Sequence, residues 1–266
     1  AVREAQNCLS PYNRDEQAYA VATMQGTGCA EAIGRVLTSL RNQRQLLPAG
    51  HEEAFNAEQN ALVAVNGERY YQAMVGGGSE SWNIRDRHMM ETMNRLMAHK
   101  GNNAKIIVWQ HNTHVGDARY TSMAGSGEVN VGQLVREEHA AAGVYIVGFG
   151  TYEGTVIASG YWGGPITTMK VPPSPDLTWE ALLHQIPPTN KLINLQLWRQ
   201  DPKLTQTRGH RAIGVVYDPT QEAGNYAPTN LPNRYDAFIF IDKTNALSPL
   251  NFQGKRTSQL GTAALE

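Results

Sequence analysis

The strongest chemical signal in the sequence is a run in which two imidazoles, a carboxylate and a guanidinium fall within nine residues. His111 and His114 lie three residues apart, and Asp117 and Arg119 complete the group. Because a free imidazole has a pKa near 6.5, either histidine could transfer protons at neutral pH or stabilise an oxyanion. The H-x-x-H spacing also fits half of a metal site, completed by Asp117 or a later acid or histidine. A third alternative is that both histidines are structural and bonded to a buried loop.

Two further groups of polar residues lie upstream of this run. Glu58 falls within an apolar stripe of a predicted helix, where it could face a substrate or be a hydrogen-bonded structural acid. Trp82 and Arg85, followed by Asp86, cluster at the start of another predicted helix. A helix cap at Asn83 and Asp86 together with an ion pair is the ordinary alternative there.

The elements that must position these side chains change character near residue 101. Before it the pattern predicts helices, and after it short apolar strands alternate with helices, which is typical of an α/β fold. The sheet is expected to be largely parallel, so that the histidines follow the first strand at the edge where α/β proteins bind ligands. The predicted helices are 13–47 with a break at 26–28, 51–74, 83–100, 131–139 and 178–185, and the predicted strands are 104–109, 143–148, 154–158, 192–197, 212–217 and 237–241.

Composition excludes several classes of function. The 266 residues are 41% hydrophobic and carry a net charge of −1, so the chain is globular, with no basic excess for nucleic acid. Apolar stretches are too short to cross a membrane. Cys8 and Cys29 predict two reduced thiols in a cytoplasmic protein. No G-x-S-x-G, Walker A or G-x-G-x-x-G motif occurs, which disfavours a serine α/β-hydrolase and nucleotide cofactors.

Several motifs in a fixed order resemble the erythromycin esterase family, from about Arg3 to Leu250. They are AFNAEQNA (54–61), ERYY (68–71), SWNIRDRHM (81–89), VWQHNTHVGDA (108–118), GEVNVGQL (127–134), GFGTY (148–152) and RAIGVVY (211–217). The resemblance implies an α/β protein with extra helices. Some members of the family open a macrolide lactone by attack of water on the ester, and others have no established substrate. The resemblance also implies antibiotic resistance as the biological role, with no metal and no cofactor.

The family's H-N-x-H motif falls on His111, Asn112 and His114, which the resemblance places in the active site. We therefore predict His111 and His114 to be catalytic in a single domain, residues 1–266, comprising a mainly helical part (1–100), an α/β part (101–250) and a tail (251–266). The predicted substrate, a small ester or lactone, is bound by six residues. These residues are Glu58, Trp82, Arg85, Asn112, Asp117 and Arg119.

One family motif has no counterpart in this sequence. The proposed general base of the family belongs to a G-E-x-x-H-G-type motif far upstream, which is absent here. We therefore expect the chain to lack an N-terminal portion, and either that segment or self-association to cover the exposed apolar surface. The alternative function is a catalytically inactive remnant that binds a ligand or partner.

Overall fold

A computed structural model describes residues 1–13, 15–48, 50–101 and 103–248. The chain divides into two compact units between Ile107 and Val108, close to the predicted change in character. The predicted tail, residues 251–266, lies outside the described residues. None of the described helices is long and apolar enough to cross a membrane.

The first unit is helical, as predicted. The predicted break at 26–28 is confirmed, because it separates the second and third helices. The last helix begins at Glu80 after Ser79, so the predicted cap at Asn83 and Asp86 is wrong: both residues lie inside the helix. The helices are α1 Val2–Leu9, α2 Glu16–Met24, α3 Ala30–Arg44, α4 Glu52–Gly76 and α5 Glu80–Lys100, with a 3-10 turn at Ser10–Tyr12.

Cys8 of α1 and Cys29, the residue before α3, form a disulfide. The expectation of two reduced thiols is therefore wrong. Cys29 is buried beside Tyr19 and Ile33, so the bond fastens the first helix to the core of this unit. Sequence spacing alone could not reveal the pairing, because the two sulfurs meet only once the three helices pack together. The cytoplasmic location stays a prediction, and the disulfide weighs against it, since disulfides persist mainly in oxidising compartments.

The second unit combines a mixed four-stranded sheet with short helices, which confirms the α/β class. The strands are β1 Val147–Ala158, β2 Thr167–Val171, β3 Lys191–Asn194, β4 Arg208–Arg211, β5 Tyr226–Thr229 and β6 Ala237–Thr244. The helices are α6 Asn112–Val115, α7 Val131–His139, α8 Trp179–His184 and α9 Leu231–Arg234. The sheet order is β2-β1-β6-β3, and β4 pairs with β5 in a separate ribbon. Among the described strands of this sheet, β1 and β6 are the one neighbouring pair that runs parallel, so the sheet is mixed rather than largely parallel.

Helix predictions in this unit hold better than strand predictions. The structure confirms α7 at its predicted bounds and α8 with Thr178 as its cap. Residues 104–109 form no strand, and Ile107 and Trp109 are 92% and 84% exposed, so the predicted buried strand is wrong. Residues 143–148 and 154–158 contribute to one long strand, β1, whereas 212–217 makes only a single bridge, between Val216 and Ser159. A continuous apolar run has no periodicity by which a strand could be told from other conformations, and this explains the errors.

The core of the second unit lies on one face of the sheet. Trp179 and Leu183 of α8 pack with Phe238 and Phe240 of β6, and all four side chains are fully buried. Thr178 caps α8 by accepting a hydrogen bond from the Ala181 amide at 3.1 Å, which fixes where the helix begins. The cap and the buried aromatic residues hold α8 against the sheet.

Candidate functional site

His111 is the cap of α6, and both nitrogens of its ring are engaged. The Thr113 amide donates to Nδ1 at 3.2 Å, so Nδ1 carries no proton. Nε2 therefore carries the proton of the neutral ring and donates it to the Ile213 carbonyl at 2.8 Å. The Thr113 hydroxyl lies 2.9 Å from Nδ1 and can donate to it as well. The local fold thus selects one tautomer and orients one N–H.

The surroundings of His111 favour its neutral form. Partial burial of the ring lowers the pKa of His111, and the neighbouring basic groups His114, Arg234 and His210 lower it further. The bond to the Ile213 carbonyl acts in the opposite direction but does not offset these effects. At neutral pH the ring is therefore a neutral N–H donor whose only unprotonated nitrogen already accepts hydrogen bonds.

Asn112 attaches α6 to the sheet. Its side-chain Nδ2 donates to the Phe149 carbonyl at 2.6 Å, and its Oδ1 accepts from the Phe149 amide at 3.1 Å. The amide thereby satisfies both backbone groups of one β1 residue, as a neighbouring strand would. This pairing places residues 111–116, which we call the histidine turn, at β1. The strand predicted before this turn, 104–109, does not form.

His114 stands in the last turn of α6 and is half-buried. It is close enough for its charge to act on His111. The structure therefore brings the two predicted catalytic histidines and Asn112 together on one short helix. Imidazoles can donate to a developing oxyanion and transfer a proton to or from a substrate, whereas the Asn112 amide is engaged with Phe149.

Asp117 and Arg119 are occupied with one another. Fully buried Asp117 accepts from Arg119 Nε at 3.0 Å and Nη2 at 2.7 Å, and from Arg136 at 3.2 Å. Arg136 also pairs with Asp236 at 3.1 Å, and Asp236 accepts from Arg199 at 2.7 Å. Such a paired network orders the loop after α6. The assignment of Asp117 and Arg119 to substrate binding stays a prediction.

Arg234 and Tyr235, which the sequence did not single out, hold the same loop from the opposite side. The Arg234 carbonyl accepts from the Asp117 amide at 3.2 Å. The Tyr235 ring lies between two glycines: a β-carbon would come within 2.6 Å of it at Gly116 and 2.8 Å at Gly148. Glycine at these two positions therefore allows the loop and β1 to close on the ring. The sequence signal for this packing is Gly116, two residues after His114.

His210, a buried histidine, was likewise not singled out from the sequence. His210 Nδ1 donates to Glu180 Oε1 at 2.5 Å, and both side chains are buried. On the other side of the ring, the Tyr235 hydroxyl lies 3.3 Å from Nε2. Burial raises the pKa of Tyr235 to about 12, so the hydroxyl keeps its proton and can donate it. Nothing in the local sequence of β4 or α8 predicts this pairing, which joins residues 30 positions apart.

The metal alternative gains no support. Among the described residues there is no group of three or more histidine, cysteine, aspartate and glutamate side chains placed to hold a metal ion. Asp117, the acid proposed to complete the H-x-x-H pair, has both carboxylate oxygens bonded to arginines.

Comparison with known proteins shows the family to which this chain belongs. The family model for erythromycin esterase matches residues 1–244. The chain belongs to the erythromycin esterase family. The family match spans both units, and the prediction of a single domain stays a prediction.

Solved structures resemble this family member at the level of the fold. A protein from Bacillus cereus superposes with a TM-score of 0.73 at 18% identity, covering 92% of this chain and 59% of that one. A succinoglycan biosynthesis protein gives 0.68 at 18% identity, covering 91% and 57%. A histidine-to-asparagine mutant of the erythromycin esterase EreC, in its open conformation, gives 0.50 at 16% identity, covering 81% and 52%. The chain spans less than two thirds of the length of each of these proteins.

In this member of the erythromycin esterase family, the three remaining predicted site residues, Glu58, Trp82 and Arg85, lie in the first unit. Glu58 of α4 is buried and pairs with Arg41 at 3.0 Å and with Arg44, both from α3. Burial raises the pKa of Glu58, but the two arginines outweigh it and leave the pKa below its ordinary value. Arg85 lies over the Trp82 ring at 4.6 Å. Glu58 thus joins α3 to α4, and its part in substrate binding stays a prediction, as do those of Trp82 and Arg85.

Proposed function

We propose that this chain is the histidine-bearing part of an ester hydrolase in which water attacks an ester or lactone. Family membership supports the reaction class, and the observation that carries the proposal is the fixed tautomer of His111. An N–H held in a known direction on a neutral ring is what an oxyanion requires as a donor.

In this proposal His111 is an N–H donor rather than the base. Its Nδ1 accepts from Thr113, whereas its Nε2–H needs only to exchange the Ile213 carbonyl for the oxygen of a substrate. A carbonyl and a developing oxyanion are both acceptors, but the charged one forms the stronger hydrogen bond. The donor would therefore favour the transition state over the ground state, which is the condition for catalysis. His114, on the same helix, would orient the substrate or protonate the leaving alkoxide.

The residue that deprotonates the attacking water is not assigned among the described residues. The solved relatives are considerably longer than this chain, which supports a further polypeptide segment as its source. The substrate class that we propose from the family name is a macrolide lactone, with antibiotic resistance as its consequence. The cytoplasmic location belongs to the same proposal, and the disulfide weighs against it.

A second candidate function is a non-catalytic protein that binds a ligand or partner. The observation that favours it is that both ring nitrogens of His111 are already bonded within the protein. Such a ring is stable without a substrate and does not by itself point to turnover.

Hydrolysis of a macrolide and of a chromogenic ester distinguishes the two candidates. The protein is assayed at its full natural length, together with its His111→Asn and His114→Asn variants. His51→Asn is the matched control, because asparagine is an equally good helix cap and His51 caps α4 in the other unit. We expect a large loss of activity in the first two variants only. Hydrolysis that is equal in all three variants would remove both histidines from the mechanism.

A further inference from the structure

Arg234, the last residue of α9, is a buried cation whose partners are all neutral. Its side chain is 1% exposed. Nη2 donates to the Asn112 carbonyl at 3.0 Å, and Nη1 donates to the Thr229 hydroxyl at 3.1 Å. Nε has no hydrogen-bond acceptor, and the guanidinium lies 5.1 Å from the centre of the Tyr235 ring. Within the described ranges no carboxylate lies at ion-pair distance from it.

Arg211, another buried arginine of the same unit, differs from Arg234 because it forms an ion pair. It is 5% exposed, and it pairs with Glu222 at 2.9 Å while also donating to three carbonyls. An arginine cannot lose its proton under ordinary conditions, so burying it without a carboxylate carries the desolvation penalty of an unpaired ion. Stability alone does not account for leaving Arg234 unpaired, because an apolar side chain of similar size would avoid that cost.

The charge of Arg234 is directed at the histidine turn. The carbonyl that it holds belongs to Asn112, the residue directly after His111, and its Nε lies against Gly116 at the other end of α6. The charged groups that act on His111 are His114 from α6 itself, His210 from β4 and Arg234 from α9. All three are basic. His210 is paired with Glu180, whereas Arg234 has no carboxylate at ion-pair distance among the described residues, so its positive charge acts on the turn without an acid to balance it.

We propose that Arg234 is a positioning residue that prepares the histidine turn for an anionic oxygen. It fixes α6 through the Asn112 carbonyl and supplies the unbalanced positive charge beneath it. This inference rests on the proposed function, in which the anionic oxygen is first the oxyanion of the tetrahedral intermediate and then the carboxylate product. Arg234 acts through the turn and does not touch the substrate, since it is buried.

Three variants test the proposal. Arg234→Met removes the charge at similar volume, and Arg234→Lys keeps it. Arg208→Met is the matched control, because Arg208 is a half-buried arginine of the same unit that lies over Trp179 and is absent from the groups acting on His111. For each variant, the pKa of the His111 ring is measured by NMR titration, kcat and KM are measured with an ester, and the thermal midpoint is recorded.

We expect Arg234→Met to raise the pKa of His111 and to lower kcat by about tenfold with little change in KM, a smaller loss than removal of a direct oxyanion donor. Arg234→Lys should keep both values close to those of the native chain, and Arg208→Met should not change them. An unchanged His111 titration in Arg234→Met overturns the proposal, whatever happens to the thermal midpoint. So does an Arg234→Lys variant that behaves like Arg234→Met. If no ester is hydrolysed, the proposed function fails, but the titration still decides the role of Arg234.

Discussion

His111 and Ile213 are joined by a hydrogen bond of 2.8 Å that spans 102 positions of the sequence. The imidazole Nε2 donates and the carbonyl accepts, so the segment after β4 fixes the direction of the N–H on the turn before β1. This bond and the one from the Thr113 amide fix the tautomer of the neutral ring, whereas burial and the neighbouring basic groups favour the neutral form itself.

The first prediction concerns the dependence of stability on pH. The pKa of His111 is lowered in the folded state, whereas in the unfolded chain it is about 6.5. Between these values the unfolded state binds more protons, so stability rises with pH. His111 therefore contributes stability above about pH 6.5, and the contribution is lost as the pH falls through the lowered pKa.

Denaturant unfolding of the native chain and of His111→Asn over this range measures the effect. Asparagine keeps the cap of α6 but does not titrate. The stability advantage of the native chain should shrink on acidification. His88, whose pKa is also lowered, is present in both proteins and cancels in the comparison. An advantage that is independent of pH would contradict the lowered pKa.

The second prediction concerns Asn112. In Asn112→Ala both backbone groups of Phe149 lose their partner, and each loss costs about 1–3 kcal/mol if the group stays buried, and less if water reaches it. We expect a lower free energy of unfolding and weaker ester hydrolysis, because α6 is no longer fastened to β1. The control is Asn42→Ala on the exposed face of α3, which should leave both quantities near their native values. Equal stability of the two variants would show that the amide pairing is dispensable.

The sequence predicted the histidine turn but not what surrounds it. Helix periodicity and capping residues are local, which is why α7, α8 and the helices α2 to α5 of the first unit were predicted from the pattern. The apolar run at 104–109 has the composition of a strand, but a strand forms only where a partner strand lies beside it. That partner is elsewhere in the sequence and cannot be identified from the run itself. For the same reason, Arg234, Tyr235 and the Glu180–His210 pair could not be foreseen. Each contacts residues that only the folded chain brings near.

The third prediction uses Gly116 to test the contact beneath the turn. Its φ of −75° is open to any residue, so a substitution is opposed only by its neighbours. In Gly116→Ala the new methyl group would lie 2.5 Å from Arg234 Nε and 2.6 Å from Tyr235 Cε1. We expect a loss of about 1–3 kcal/mol in the free energy of unfolding, the usual cost of overpacking. Gly160→Ala is the control, since no heavy atom lies within 4 Å of the new carbon there. Thermal and denaturant unfolding should separate the two variants, and similar midpoints would contradict the close packing of Tyr235.

The fourth prediction is that the Cys8–Cys29 bond stabilises the helical unit. The bond closes a loop with a sequence separation of 21, and in the chain-entropy model a loop of this size contributes about 3 kcal/mol. The Cys8→Ala/Cys29→Ala double variant should therefore unfold at lower denaturant than the native chain. A reducing agent should destabilise the native chain and leave the double variant unchanged, which separates loss of the bond from a general effect of the reagent. Because Cys29 is buried, the native bond should resist reduction until the unit opens. If both cysteines react with an alkylating agent in the denatured, unreduced chain, the bond is absent. The expectation of two reduced thiols in a cytoplasmic protein would then hold.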